Sequence, residues 1–555
     1  MTHPLLEKHR ATLDGALSAI QTRGYWTPYP EQPSPKVYGE TANEDGKAAA
    51  LRHGGTNFDL HQPGTRGWIS TERSPYGVAL DVRYAQCDPQ ALVDAGKAAM
   101  EAWQQLGVDG RTGVCLEALA RINQASFEIA HAVMLTTGQG WMMAFQAGGP
   151  HAQDRGLEAV AYAYREMSAI PAEARWEKPQ GKNPPIVMEK RFEVVGRGVA
   201  LVIGCGTFPT WNTYPGLFAA LVTGNPVIVK PHPGAVLPAA ISVRILRDVL
   251  NDNGLDPNLV TLAVFDDPKA TQALAMHPDV KSIDFTGSNA FGRWLMDNAR
   301  QAQVYAELAG VNNVVVESTD SYKAMLKNLA FTLSLYSGQM CTTTQDIFVP
   351  GGGIETDEGH KTFDQVASDL GTAVERLLAD PAVATAVLGA IQSPETLKRV
   401  DEAPQLAEVV LASRKVDHTE FPAAQVRSPV LLKTDAAREA VYMQERFGPI
   451  SFVVKVPDWK AAVALSERTV KQHGALTVGL YSTSREVIDA MTAATLRAGV
   501  SLSINLTGNV YVNQSAAFSD FHATGANPAA NASYSDSAFV ASRFRVVQRR
   551  WHAAG

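Results

Sequence analysis

The chain begins with helical spacing of apolar residues and changes to an alternation of strands and helices near residue 199. Apolar residues at three- and four-residue intervals predict helices over 5–23, 89–106 and 111–136, and two more within 141–168. Residues 24–40 are rich in proline, glycine and aromatic residues, which is typical of an extended arm lying on a neighbouring surface. Residues 1–80 are therefore predicted to be an N-terminal extension without its own core.

Beyond residue 199, short apolar runs alternate with helical segments. Residues 199–203 form a wholly apolar run that Gly204 ends, as expected of a buried parallel strand. The other elements predicted here are strands at 226–230, 260–264 and 282–285 and helices at 214–222 and 239–250. Such alternation predicts a doubly wound α/β sheet that binds its ligand at the carboxyl ends of the strands.

The second half repeats this alternation and predicts a second α/β lobe. Its predicted elements are helices at 321–336 and 361–379 and strands near 346–349, 451–456 and 476–481. A chain of 555 residues is too long for one ordinary core, which agrees with two or more lobes. The tail from about residue 506 is polar and rich in small residues until a strand-like pattern returns at 539–547.

Composition excludes several classes of protein. Hydrophobic residues make up 45% and charged residues 19% of a chain with a net charge of −7, so a nucleic-acid partner is not expected. The basic group of Arg543, Arg545, Arg549 and Arg550 is interpreted as the solvated face of a strand. No run reaches the roughly 18 apolar residues of a membrane span. No membrane partner is expected, and the absence of an apolar signal core favours a cytoplasmic location.

The four cysteines lie far apart in the sequence and form no Cys-x-x-Cys pair, so neither a metal site nor a disulfide framework is predicted. Cys341 follows a predicted helix and Gly338 and has small, hydroxylated neighbours. Such a position can present a thiol to a cleft. Glu307 precedes Cys341 by 34 residues (341 minus 307) and can act as a general base. The alternative is an inert buried thiol and a solvated charge at a helix end.

Three other segments have features of a cofactor site. Gly287, Ser288 and Gly292 follow a predicted strand and open a helix, where backbone amides can donate to a pyrophosphate. Lys230 ends another strand and can reach an adenosine ribose or phosphate. Glu445 can bring a carboxylate to a ribose, and Phe447 can bring an aromatic edge to a nicotinamide. Each segment alone also fits an ordinary turn or a solvated strand end.

Together these ordered motifs resemble the aldehyde dehydrogenase superfamily over about residues 90–520, and the interval between Glu307 and Cys341 is the one usual in that family. The resemblance implies an aldehyde-dehydrogenase-like fold, with a Rossmann-like cofactor lobe, a catalytic lobe and an oligomerisation arm. It implies that Cys341 is the nucleophile and Glu307 the base. It places Gly287, Ser288 and Gly292 at the cofactor phosphates, Lys230 and Glu445 at the two riboses, and Phe447 beside the nicotinamide.

By this resemblance, the domains are an extension at 1–80, a cofactor-binding domain at 81–306, a catalytic domain at 307–505 and a tail at 506–555. A bridging segment near 183–199 interrupts the cofactor-binding domain. The bridging strand and the tail are expected to pair across subunits in a homo-oligomer, a dimer or tetramer. The opening residues, the arm and the tail look like the phenylacetic acid degradation (PaaN-type) branch. That branch implies an aldehyde formed after ring cleavage, which can be carried on coenzyme A.

Two positions depart from the family's pattern. An asparagine that helps bind the oxyanion is expected 18 residues before Asn225, but Thr207 stands there. Thr207 is therefore the candidate, with Asn212 as the alternative if the loop is shifted. Many members that prefer NAD carry a glutamate three residues after the lysine, where this chain has Pro233. NADP is therefore the expected cofactor, with NAD also possible.

The function expected from these motifs is NAD(P)-dependent oxidation of an aldehyde to a carboxylic acid. One alternative is a coenzyme-A-acylating enzyme, against which Glu307 argues because such relatives usually lack that residue. The other is a catalytically impaired cofactor-binding or assembly protein, which the substitution at Thr207 allows.

Overall fold

The computed structural model describes residues 3–553, so the outermost residues of the predicted extension and tail lie outside the described part. The elements before the first large sheet are α1 (Pro4–Lys8), α2 (Arg10–Thr22), α3 (Pro35–Tyr38), α4 (Ala42–Arg52), β1 (Asn57–Phe58), β2 (Thr65–Ile69), β3 (Arg83–Cys87), α5 (Pro89–Gln105), α6 (Gly107–Gln124), α7 (Ser126–Thr137), α8 (Trp141–Gly148), α9 (Pro150–Ser168), β4 (Glu173–Gln180) and β5 (Asn183–Gly196). The N-terminal helices have no separate core. Leu6 and Leu13 are fully buried in the same apolar cluster as α6 and α9.

The helix predicted over 111–136 is two helices in the structure. Ala125 leaves helical geometry between α6 and α7, with φ −92° and ψ 11°. The Asn123 side chain, two residues before this break, donates to Gln153 Oε1 over 2.8 Å. The apolar spacing continues across the break, so periodicity alone does not reveal it.

The first large sheet consists of five parallel strands with helices between them. Its elements are β6 (Val199–Ile203), α10 (Tyr214–Val222), β7 (Val227–Lys230), α11 (Leu237–Asp252), β8 (Val260–Leu262), α12 (Pro268–Ala275), β9 (Val280–Thr286), α13 (Asn289–Asn298) and β10 (Gln303–Glu307). The strand order is β10-β9-β6-β7-β8, and every pair is parallel. This is the order of a Rossmann-like sheet, with its switch point between β6 and β9. The predicted doubly wound sheet is therefore confirmed, although β10 was not predicted.

The second large sheet has seven strands in the order β15-β18-β19-β13-β11-β20-β21. Its lobe comprises β11 (Asn312–Val316), β12 (Ser318–Thr319), α14 (Tyr322–Ser334), β13 (Thr344–Pro350), β14 (Glu355–Thr356), α15 (Phe363–Leu377), α16 (Pro381–Val387), α17 (Pro394–Glu402), β15 (Glu408–Leu411), β16 (Lys415–Val416), β17 (Val426–Arg427), β18 (Val430–Asp435), α18 (Glu439–Tyr442), β19 (Ile450–Val456), α19 (Trp459–His473), β20 (Thr477–Tyr481), α20 (Arg485–Ala498) and β21 (Ser501–Ile504). Within this sheet only the edge strand β15 pairs antiparallel with its neighbour. The predicted second α/β lobe is confirmed.

The tail returns to the first half of the chain. After an irregular stretch it forms α21 (Ser537–Ala541) and β22 (Phe544–His552), and β22 pairs antiparallel with β5 of the same chain. The bridging strand and the tail strand thus pair with each other within one chain, and their pairing across subunits stays a prediction. Together with β4 they form a three-stranded sheet.

One of the four tail arginines is not on a solvated face. Arg543 is 1% exposed, and its guanidinium donates to both carboxylate oxygens of Asp284 in β9 over 2.7 and 2.6 Å. The interpretation of all four as solvated was wrong for Arg543, because the partner lies 259 positions away in sequence. Among residues 3–553, no helix is both long and apolar enough to cross a membrane.

Candidate active site

Four strands of the first sheet end at the same edge, and most of the predicted site residues lie there. Lys230 ends β7 and pairs in register with Ile203 of β6, while Glu307 ends β10 beside Thr286 of β9. Gly287 follows β9 directly, and the loop after β6 carries Thr207. Parallel strands thus bring together residues that are far apart in the sequence.

Glu307 lies at the centre of a buried polar cluster and is 2% exposed. The Asn212 side-chain amide donates to its Oε1 over 3.4 Å, and Nε2 of His522 lies 3.1 Å from its Oε2. The carboxylate, the His522 ring nitrogen and Cys341 Sγ all lie within 4.8 Å of one another. The structure thus brings Glu307 and Cys341 together, but Glu307 ends a strand and is not a solvated charge at a helix end.

A left-handed turn presents Cys341. Helix α14 ends at Ser334, and residues 336–338 have φ of 53°, 48° and 62°. The Tyr336 hydroxyl stabilises this turn by donating to the carbonyl of Thr137 over 2.7 Å. A Cβ on Gly338 would lie 2.4 Å from the carbonyl oxygen of Gly448, so glycine is required there. Such strained backbone is common where a reactive group must be aimed.

The surroundings of Cys341 keep its thiol protonated. Burial raises the pKa of the thiol well above its usual value, and the nearby Glu307 carboxylate raises it further. A neutral thiol is a weak nucleophile, so a base must take its proton before it can attack. Glu307 is the carboxylate close enough to do so.

The loop between β18 and β19 brings Glu445 and Phe447 to the same pocket as Cys341. Gln345, four residues after Cys341, holds this loop. Its side-chain amide donates to the carbonyl of Gln444 over 2.9 Å, and its Oε1 accepts from the backbone N–H of Arg446 over 2.7 Å. Burial raises the pKa of Glu445 to about 7. The cofactor-loop residues predicted from the sequence therefore share a pocket with the predicted nucleophile.

Lys230 is enclosed without a partner. Burial lowers the pKa of its amine to about 8, and the side chain makes no hydrogen bond or ion pair within residues 3–553. Ser288 is the N-cap of α13, where its hydroxyl accepts from the Phe291 N–H over 3.4 Å. A Cβ on Gly292 would lie 2.1 Å from a Leu308 methyl, so this glycine allows the helix to approach the strand. A Cβ on Gly287 would touch the Phe285 ring at 2.8 Å.

The two candidates for binding an oxyanion lie in the loop after β6. Thr207 Oγ1 is 3.9 Å from Cys205 Sγ, and its carbonyl accepts from Gln139 over 2.7 Å. Asn212 is buried, and its amide points to Glu307 while its Oδ1 accepts from the Cys205 thiol over 3.4 Å. Thr207 also offers a hydroxyl from this loop, but the side-chain amide that contacts the Glu307 carboxylate belongs to Asn212.

His522 was not predicted. It lies in the irregular part of the tail, 181 positions after Cys341 (522 minus 341), and no spacing or motif marks it. The tail also binds the backbone around Glu307: the Leu308 N–H donates to the Ala529 carbonyl over 2.7 Å, and the Ala306 N–H donates to Asn531 Oδ1 over 2.7 Å. The residues of the site therefore come from three parts of the chain, namely the two sheets with their loops and the tail.

Comparison with known proteins agrees with this geometry. The model of the aldehyde dehydrogenase family matches residues 79–541. A crystal structure of an NAD-dependent aldehyde dehydrogenase from Burkholderia multivorans is 57% identical over 100% of both chains, with a TM-score of 0.99. An N-succinylglutamate 5-semialdehyde dehydrogenase of Paraburkholderia xenovorans is 27% identical over 470 residues, 84% of this chain and 87% of that protein.

A putative aldehyde dehydrogenase family 7 member A1 homolog of Caenorhabditis elegans is 28% identical over 284 residues, which span 48% of this chain and 50% of that protein. The family model covers most of the chain, including both sheets and the cluster around Glu307 and Cys341. This chain belongs to the aldehyde dehydrogenase family.

Proposed function

We propose that this chain oxidises an aldehyde to a carboxylic acid through a thioester on Cys341, with Glu307 as the general base. The observation that carries the proposal is the approach of the Glu307 carboxylate and the Cys341 sulfur to within 4.8 Å at the carboxyl edge of a Rossmann-like sheet. A carboxylate so close to a thiol of raised pKa can take its proton, and afterwards a proton from water.

The residues predicted to hold a nicotinamide dinucleotide have the free bonding capacity that this role requires. Lys230 and Glu445 are both largely enclosed, and neither side chain makes a hydrogen bond within residues 3–553. An ammonium and a carboxylate left without protein partners can bond ribose hydroxyls. Ser288 and the first amides of α13 lie at a helix N-terminus, which favours phosphate. The donor and acceptor set therefore fits the cofactor.

The first half-reaction forms a carbon–sulfur bond. Glu307 takes the proton of Cys341, the sulfur adds to the aldehyde carbon, and the carbonyl oxygen becomes an oxyanion. Thr207 or Asn212 supplies a side-chain donor to that oxygen. A bound nicotinamide supplies the hydride acceptor that converts this adduct into a thioester.

In the second half-reaction, water hydrolyses the thioester. Glu307 first releases the proton of Cys341 to solvent. It then takes a proton from the water as the water oxygen adds to the thioester carbon, and the carbon–sulfur bond breaks. Cys341 leaves as a thiolate and recovers a proton from Glu307, and the acid is released. Removal of the Glu307 carboxylate should therefore leave the enzyme acylated.

We propose NAD as the preferred cofactor, in place of the NADP expected from the sequence, with NADP as a weaker one. Pro233 places no carboxylate where it would repel a 2′-phosphate, which allows NADP. Glu72, however, accepts hydrogen bonds from the Val236 and Leu237 amides at the start of α11, and Thr71 donates to the carbonyl of Pro233 over 2.7 Å. This carboxylate occupies helix-start donors that a phosphate would use. The similar Burkholderia multivorans protein is described as NAD-dependent.

For the substrate, we propose a semialdehyde formed after ring cleavage in phenylacetate degradation, either free or linked to coenzyme A, as in the PaaN-type branch. The support is the sequence of the arm and tail, and the similarity to an N-succinylglutamate 5-semialdehyde dehydrogenase. We also propose that residues 81–306 bind the cofactor and residues 307–505 carry the nucleophile. A homo-oligomer would form through an edge strand of the three-stranded sheet, β4 or β22, since β5 is paired on both sides.

A cofactor-reduction screen tests the proposal. Absorbance at the reduced-nicotinamide band is followed with short, aromatic and coenzyme-A-linked aldehydes, with NAD or NADP, and with or without free coenzyme A. We expect turnover with a semialdehyde, a higher rate with NAD, and a free acid as product. A product that is a coenzyme A thioester formed only when free coenzyme A is added would instead identify an acylating enzyme. No turnover by any pair would contradict the proposal.

A further inference from the structure

His522 brings a ring nitrogen from the C-terminal tail to the carboxylate of Glu307. Nε2 of His522 and Oε2 of Glu307 are 3.1 Å apart, and both side chains are at least nine-tenths buried. The N–H direction is not aligned with Oε2, so neither atom has a hydrogen-bond partner within residues 3–553. Two unpartnered polar atoms at this distance need only a small rotation to pair, and leaving them apart is costly.

The hydrogen-bond chain behind His522 favours a proton on one of the two ring nitrogens. Arg155 can only donate, and its Nη2 lies 3.1 Å from the Ser515 oxygen. Ser515 therefore accepts from Arg155, and its own hydrogen is available for Nδ1 of His522, 3.1 Å away. If Nδ1 is the acceptor, the proton of a neutral imidazole lies on Nε2. That nitrogen is the one facing Glu307.

The ring of His522 is fixed by its neighbours. Trp211 packs edge-on against it at 4.6 Å between centroids, and Tyr534 lies nearly parallel to it at 6.2 Å. The backbones of His522 and Tyr534 also exchange hydrogen bonds of 3.0 and 2.9 Å. A ring restrained on both sides and oriented from behind holds its Nε2–H in one place, as a positioning group requires.

We propose that His522 is a positioning residue that donates from Nε2 to Glu307 and holds this carboxylate against the thioester-bearing Cys341 while water is activated. Asn212 restrains the other carboxylate oxygen, at 3.4 Å. The inference rests on the proposed function, because it assigns His522 to the hydrolytic half of that reaction. The tail thereby contributes to the chemistry of the site as well as to its packing.

Hydrolysis of an activated ester, such as 4-nitrophenyl acetate, isolates this step because it acylates a thiol without nicotinamide or aldehyde. Three variants are compared with the parent: His522→Phe keeps a flat ring but loses the donor, His522→Gln keeps a donor near Nε2, and Arg549→Met alters an exposed arginine of the same tail. The initial burst reports acylation of the thiol, and the later steady rate reports hydrolysis of the acyl-enzyme.

For His522→Phe we expect an unchanged burst amplitude and a steady rate lower by about 10- to 100-fold, the range for losing a hydrogen bond to a charged group. His522→Gln should recover at least half of that loss on a logarithmic scale, and Arg549→Met should match the parent. In aldehyde oxidation, kcat and KM should fall together and kcat/KM should change little, because only the step after acylation is slowed.

Three results would overturn the inference: an unchanged steady rate in His522→Phe, equal losses in His522→Phe and His522→Gln, or a reduced burst amplitude in a folded His522→Phe protein. Failure of the proposed function gives a different result. In that case the parent itself shows no burst and acquires no acyl group on Cys341.

Discussion

Two regions of the molecule hold Glu307, and they do so by different physical means. The first sheet supports it through a regular ladder, in which β10 pairs with β9 at five consecutive residues. The tail holds it through a few separate contacts, such as Asn531 with the Ala306 backbone and His522 with the carboxylate. In a ladder, the neighbouring hydrogen bonds still hold the strand when one bond is lost. Each tail contact, by contrast, has no neighbour that can replace it.

The two regions also differ in whether their buried charged side chains have protein partners. Lys230 at the sheet edge, like Glu445 in the β18–β19 loop, makes no hydrogen bond within residues 3–553 and can bind a ligand. In the tail, the buried guanidinium of Arg543 is paired, since it makes a bidentate contact with Asp284 in β9. We propose that the sheet edge provides binding capacity, whereas the tail provides position.

The largest expected effect is at Cys341, whose sulfur lies within 4.8 Å of the carboxylate that both regions hold. Cys341→Ser should lower turnover by at least about 10⁴-fold, because a serine hydroxyl is a far weaker nucleophile without a triad base. Cofactor binding, measured by quenching of protein fluorescence, should change little. Cys115→Ala, at a fully buried cysteine of α6, is the control and should retain activity. Substantial turnover by Cys341→Ser would remove the nucleophile assignment.

The next effect tests whether the tail depends on single contacts. Arg543→Met leaves the buried Asp284 carboxylate unpaired, so it should destabilise the protein by about 3–5 kcal/mol, seen as a lower thermal unfolding midpoint. Arg549→Met breaks an exposed pair with Glu193 and should cost less than about 1 kcal/mol. Equal shifts in the two variants would contradict the distinction between the buried and exposed arginines of the tail.

A smaller effect distinguishes the two oxyanion candidates at the sheet edge. Removing the donor that contacts the oxyanion should lower kcat by about 100- to 1000-fold. We expect this loss for Asn212→Ala and a loss of less than about 10-fold for Thr207→Ala, because the Asn212 amide lies beside Glu307. The burst rates of ester hydrolysis in both variants decide the matter, because acylation forms the oxyanion, whereas loss of the Asn212 contact with Glu307 alone would slow only the later steady rate. The opposite order of effects would assign the role to Thr207.

The smallest expected effect concerns binding capacity. Lys230→Met should weaken cofactor binding by about 10-fold with a lesser effect on kcat, because only a ribose contact is lost. Since the pKa of Lys230 is lowered to about 8, the amine is charged below that pH and loses its proton above it. Cofactor affinity of the parent should therefore fall between pH 7 and 9, and that of Lys230→Met should vary less. Parallel pH profiles would contradict this role.

The sequence predicted the sheet edge well because its signals are local. A wholly apolar run such as 199–203 predicts a buried strand, and each site residue follows such a run within a few positions. The positions of Lys230, Gly287 and Ser288 at the strand ends were thus accessible from pattern alone. The pairing of Glu445 and Phe447 with Cys341 in one pocket came from the resemblance to a family.

The tail could not be predicted in the same way. His522 and Asn531 act through partners more than 200 positions away, and neither lies in a periodic element. The burial of Arg543 likewise depends on Asp284, which no local pattern connects to it. Strand β10 was missed because its short run, Gln303–Glu307, contains polar residues at both ends. Contacts that are decided only when distant segments meet leave no periodic signal in the chain.

The central claim is that Cys341 carries the acyl group and Glu307 drives its hydrolysis. The most direct measurement is mass spectrometry of Glu307→Gln after incubation with NAD and a substrate aldehyde, followed by peptide mapping. We predict an acyl group on Cys341 that persists much longer than in the parent. An unmodified Cys341, or an acyl group found instead on Cys205, would contradict the account.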